Sequence, residues 1–184
     1  MHGAVGWLLT LVFAGLVWPC VSRLVRLDYV RLGRGVRNGD LVELLLVVAM
    51  VAMLSPVGGP IPAAGWQAIL VLTTGWFAFA WWRGRRSGHE SCGHHALSAA
   101  AMLYLITAAP HDGHGPWLNM STMDTRLAWP AIAVVAAAYF AFDAAHAGVL
   151  TFRATPALSG EASRVFCRAV MGAGMGYMLL TAAL

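Results

Sequence analysis

The chain has 184 residues, of which 59% are hydrophobic and 11% charged, and its formal net charge is +4. Soluble globular domains carry about 25% charged residues. This composition therefore leaves too few polar side chains to cover a globule and points to an all-α, polytopic membrane protein, a single integral membrane domain over 1–184. Every one of the twelve basic residues is arginine, and no basic face is interleaved with aromatics, so the pI of 9.4 is not a nucleic-acid signature.

A spanning helix needs about 20 predominantly apolar residues, and the first is expected over 5–25. A cleaved signal peptide needs positive charge ahead of its apolar core. Here "MHGAVGW" carries no arginine, and a proline precedes Cys20 in "VWPC", which suits lipoprotein cleavage poorly. A retained helix is the expectation. Arg23, Arg26, Arg31, Arg34 and Arg37 come after it.

The second span, 40–57, opens on acidic residues including Glu43 and then carries Met50 and Met53. "SPVGGPIP" reads as a tight outer turn, because proline and glycine punctuate it. The third span covers 63–82 and ends on Arg83, Arg85 and Arg86. "CGHHALSAAAM" begins the fourth, 94–109, with His94 and His95 at its mouth and Met102 deeper. Next comes "HDGHGPWLNMSTMD", with His111, His114, Met120 and Met123 beside Asp112 and Asp124. The fifth span, 127–150, holds Asp143 and His146, spaced to share a face. After Arg153 the sixth, 164–184, holds Arg168, Met171, Met175 and Met178.

Eleven of the twelve arginines fall on alternate connections, with Arg126 the exception. Cytoplasmic connections carry such an excess, so the expectation is a plasma-membrane protein with both termini extracytoplasmic. The tryptophans Trp76, Trp81, Trp82 and Trp117 sit near span ends, which suits interfacial anchoring. Cys20, Cys92 and Cys167 form no CxxC pair, and an odd count argues against a pure disulfide framework.

The even-numbered spans rhyme. Glu43 is followed by Met50 and Met53, His95 by Met102 and Leu105, and Arg168 by Met175 and Met178. Seven residues on, a helix returns to nearly the same face about 10 Å deeper. Each stripe thus sets a thioether beneath a polar mouth, as a two-helix unit occurring three times would. Thioethers suit Cu(I), and imidazoles suit copper and zinc. The leading expectation is a protein that binds or translocates copper(I). His111 and His114, with Met120 and Met123, capture the ion. Met50, Met53, Met102, Met175 and Met178 line its path, and His94, His95, Asp143 and His146 receive it.

Other readings stand beside this one. Methionine is adaptable filler between helices, and Gly172 and Gly176 in "MGAGMGYM" form a small-xxx-small pair for close helix approach. The chain then is a non-enzymatic accessory subunit of a larger envelope or respiratory assembly, its partners being lipid, another membrane protein or a second copy. A haem-binding protein with His95 and His146 as axial ligands is the third reading. No phosphate loop, HExxH or serine elbow is present, so no enzyme is expected.

"AMVAMLSP", "CGHHALSAAAMLYL" and "CRAVMGAGMGYMLL" resemble the landmarks of an actinobacterial family of small multi-pass membrane proteins filed as a domain of unknown function. The likeness covers nearly the whole chain and is most specific over Met171, Met175 and Met178. In that family the second span often opens on histidine where this chain has Glu43, and a methionine often stands near Leu46. The resemblance implies a plasma-membrane protein with recurring His and Met positions, and it carries no established activity.

Overall fold

The computed structural model describes residues 2–55, 61–84, 90–108, 129–153 and 161–183. Among the described residues every regular element is a helix: α1 (His2–Arg26), α2 (Tyr29–Leu32), α3 (Arg34–Leu54), α4 (Ala63–Gly84), α5 (Glu90–Ala108), α6 (Pro130–Arg153) and α7 (Glu161–Ala183). The described part of each of the six apolar runs lies on one long helix. The single turn α2 is too short for hydropathy to reveal. It forms because the Asp28 carboxylate accepts from the Val30 amide at 3.1 Å, and Gly33 closes it at φ 89°, where a side chain is strained.

Among the described residues four helical segments are long and apolar enough to cross a membrane: Ala4–Arg26 in α1, Ala63–Arg83 in α4, Pro130–Val149 in α6 and Ala162–Ala183 in α7. α3 and α5 have comparable lengths of 21 and 19 residues. They fall short in composition, because Arg37, Asp40 and Glu43 open α3, and Glu90, His94 and His95 open α5.

Four threonine hydroxyls are satisfied on their own helices. Thr10, Thr73, Thr107 and Thr181 each donate to the carbonyl four residues earlier, at 2.8, 2.8, 2.8 and 3.0 Å. A hydroxyl satisfied on its own helix can face hydrocarbon without an open hydrogen bond. Bulky side chains such as Trp18, Leu72, Trp76, Val135 and Phe142 point outward, the expected finish for a surface solvated by lipid.

The helices fall into two compact units, α1 to α5 and α6 with α7. In the first, α1 and α3 run antiparallel. Gly6 lies against the Leu54 carbonyl at one end, and Arg23 meets Glu43 at the other. α4 and α5 are likewise antiparallel but touch through large rings, with the Trp81 indole over Gly93 and Phe77 against His95. In the second unit, α7 packs closely on α6. A methyl added to Gly172 would stand 3.2 Å from both Ala144 Cβ and the Phe140 carbonyl, and one on Gly176 would stand 3.5 Å from the Ala137 carbonyl. Small residues let the two backbones approach.

Candidate functional site

The last turn of α1 and the second turn of α3 bring a buried charge cluster together. Arg23 Nη2 donates to Glu43 Oε2 at 2.7 Å and to Cys20 Sγ at 3.6 Å. Its Nε stands 3.8 Å from Asp40 Oδ1, and the Tyr29 hydroxyl donates to Asp40 Oδ2 at 2.8 Å. Arg23, Asp40 and Glu43 are all buried. Charges withdrawn from water persist only when paired and hydrogen-bonded. The Arg23 guanidinium supplies such a partner to both carboxylates, at 2.7 Å to Glu43 and 3.8 Å to Asp40.

α5 delivers its histidines to the same unit. His95 lies beside α3, its Nε2 placed 3.8 Å from where a Gly39 methyl would be, next to Asp40 in sequence. Its ring sits edge-on to Phe77 with centroids 5.5 Å apart, and His94 and His95 are 6.0 Å apart by the same measure. His94 is buried and His95 half-buried. Deeper along the helices, Met50, Met53 and Met102 are fully enclosed, as are Leu46 and Leu105.

The second unit has its own ion pair. The Arg168 fork grips the Asp143 carboxylate through both oxygens, Nε to Oδ2 at 3.0 Å and Nη2 to Oδ1. Bidentate pairing fixes both side chains more firmly than a single contact does. His146, one turn on from Asp143, is exposed and stacks on Phe142 at 6.4 Å with planes 9° apart. Asp143 therefore has Arg168 as its partner rather than sharing a site with His146. Met171, Met175 and Met178 are buried on α7, on the helix whose Gly172 and Gly176 meet α6. His111, His114, Met120 and Met123 lie outside the described residues.

Arg23, Tyr29, Asp40 and Arg168 were not among the ligand residues read from the sequence. Arg23 counted only as one positive charge on a connection, and Arg168 as another such charge and as a polar mouth. A usable signal was present: an acid inside an apolar helix needs a partner, and Arg23 is one of two basic residues in the last turn of the preceding long helix.

A family model described as Domain of unknown function (DUF5134) matches residues 35–182. The chain belongs to the DUF5134 family. The DUF5134 region takes in nearly all of α3 and the whole of α4 to α6, with Asp40, Glu43, His94, His95 and the Asp143–Arg168 pair. Arg23 and Tyr29 precede it, so the buried cluster joins the DUF5134 region to the helix and turn ahead of it. Comparison with curated proteins and with solved structures returned no match.

Proposed function

We propose that this DUF5134 protein is a plasma-membrane protein that crosses the bilayer six times, with both termini outside, and binds or moves a soft transition-metal ion, Cu(I) foremost. One observation carries the reading: in the first unit the stripes of α3 and α5 both turn inward. Glu43, Met50 and Met53 are buried on α3, and His94 and Met102 on α5, while His95 lies against α3 beside Gly39. Thioethers enclosed beneath imidazoles and carboxylates form a soft donor set that discriminates against hard ions. Asp40 and Glu43 add carboxylate oxygens close to the mouth. The antiparallel pairs α1–α3, α4–α5 and α6–α7 support a helix-hairpin repeat, and the pairing of Glu43 and Asp143 with arginines lowers the cost of placing them in a bilayer.

Elemental analysis of detergent-purified protein from copper-supplemented cells tests the proposal. Bound copper is expected, and Met50→Leu with Met102→Leu, which keep the packing volume, should lower its stoichiometry. Unchanged stoichiometry in that double variant counts against the site.

The accessory-subunit reading is favoured by one observation, the fit of Gly172 and Gly176 on α6, which makes packing a sufficient role for Met171, Met175 and Met178. A large co-purifying partner without metal would select it. A strong visible absorption band that depends on His95 would select haem instead.

A further inference from the structure

The connection between α1 and α3 carries basic side chains that the buried cluster does not use. The apolar segment of α1 ends at Arg26, so the residues just beyond it lie at a membrane boundary. Val30 is 95% exposed and Arg31 89%, with Leu32 also turned outward. Arg26 and Arg37 are exposed as well. An apolar tip in this position would ordinarily fold inward or stay loose in water.

Here the backbone is held with that tip outward. The Asp28 carboxylate caps the turn, and the Gly33 amide donates to the Tyr29 carbonyl at 3.0 Å. The Tyr29 hydroxyl ties the turn to Asp40 on α3 at 2.8 Å. Asp28 is the only acidic residue between Arg26 and Arg37, and its contact with Arg31 is a solvated 3.4 Å pair that offsets little. The connection thus combines a fixed apolar point with exposed arginines before, within and after it in the chain. Its chemistry matches the bilayer boundary, where acyl chains lie beside phosphates.

We propose that the α1–α3 connection binds the headgroup phosphates of anionic phospholipid. Arg26, Arg31 and Arg37 supply the guanidinium groups, and Val30 and Leu32 supply the apolar footing. Anionic lipid attracts such juxtamembrane basic clusters, and a planar guanidinium can grip phosphate with two hydrogen bonds. A free phosphate ion would make no use of Val30.

The test places the full-length protein in nanodiscs containing equal parts phosphatidylcholine and phosphatidylglycerol, and reads the lipid retained by native mass spectrometry. The wild type should enrich phosphatidylglycerol. The Arg26→Gln, Arg31→Gln, Arg37→Gln variant should lose that enrichment by about tenfold or more. Val30→Ser with Leu32→Ser should lower it while leaving every charge in place. Equal enrichment in wild type and triple variant overturns the proposal, and so does displacement of the lipid by inorganic phosphate. Should the triple variant fail to fold, Arg31→Gln alone, at a side chain 89% exposed, gives the same readout.

Discussion

Arg23 and Glu43, twenty residues apart in the chain, meet at 2.7 Å with side chains only 4% and 7% exposed. Asp40 stands on the other side of the same guanidinium, 3.8 Å from its Nε. The three charges are therefore unequal in consequence.

Removing Arg23 takes the guanidinium from two buried carboxylates, whereas removing the charge on Glu43 leaves Arg23 beside Asp40. Stranding a buried charge costs about 3–5 kcal/mol. Arg23→Met should fall in that range, and Glu43→Gln should cost clearly less. Equilibrium unfolding in mixed micelles measures both; equal losses would show that Asp40 does not share the guanidinium.

The α6–α7 contact separates two glycines. The 3.2 Å approach at Gly172 is to backbone as well as side chain, so neighbouring atoms must move to admit a methyl, while the 3.5 Å spacing at Gly176 is ordinary contact. Gly172→Ala should destabilise the helix pair by about 1–3 kcal/mol, the cost of overpacking, and Gly176→Ala should be nearly neutral. Thermal melts of the two variants check the order.

Gly33 joins α2 to α3 at φ 89°, ψ 160°, a region that side chains rarely occupy. Nothing lies within 4 Å of an added Cβ, so a loss in Gly33→Ala reports backbone strain alone, about 1–3 kcal/mol. Restoration by a D-alanine introduced through semisynthesis would isolate that cause.

Asp143 and Arg168 form a fork that lysine cannot reproduce. Because Arg168 is 39% exposed, water weakens the pair, and Arg168→Lys should cost about 1 kcal/mol. Asp143→Asn should cost more, since it removes the charged acceptor of both guanidinium hydrogen bonds. Denaturant midpoints of the two variants give the comparison.

The proposed six crossings would place all the odd-numbered connections on one side. Arg31→Cys and Arg85→Cys should react with a membrane-impermeant thiol reagent only after the cells are opened, and His114→Cys should react in intact cells. Labelling of Arg31→Cys and Arg85→Cys from opposite sides would remove the six-span arrangement.

Much of the helical framework is set by the chain's own pattern. The six apolar runs delimit six long helices to within a few residues at most ends, because a helix in an apolar setting satisfies its backbone internally and needs only length and composition to specify it. Gly172 and Gly176 likewise announce a close helix contact through their spacing alone. The turn α2 escapes this logic, since four residues carry no periodicity and its cap depends on one aspartate.

Which charges meet is a different matter. Hydropathy treats Arg23 and Arg168 as punctuation, yet one closes a buried cluster with Glu43 and Asp40, and the other holds Asp143. The spacing of Asp143 and His146 suggests a shared site, but the packing of α7 on α6 turns the first inward and leaves the second exposed. Local sequence sets what a helix can bury. The partner of each buried charge is chosen by how helices pair across long separations, because only there does desolvation make one contact far better than its alternatives.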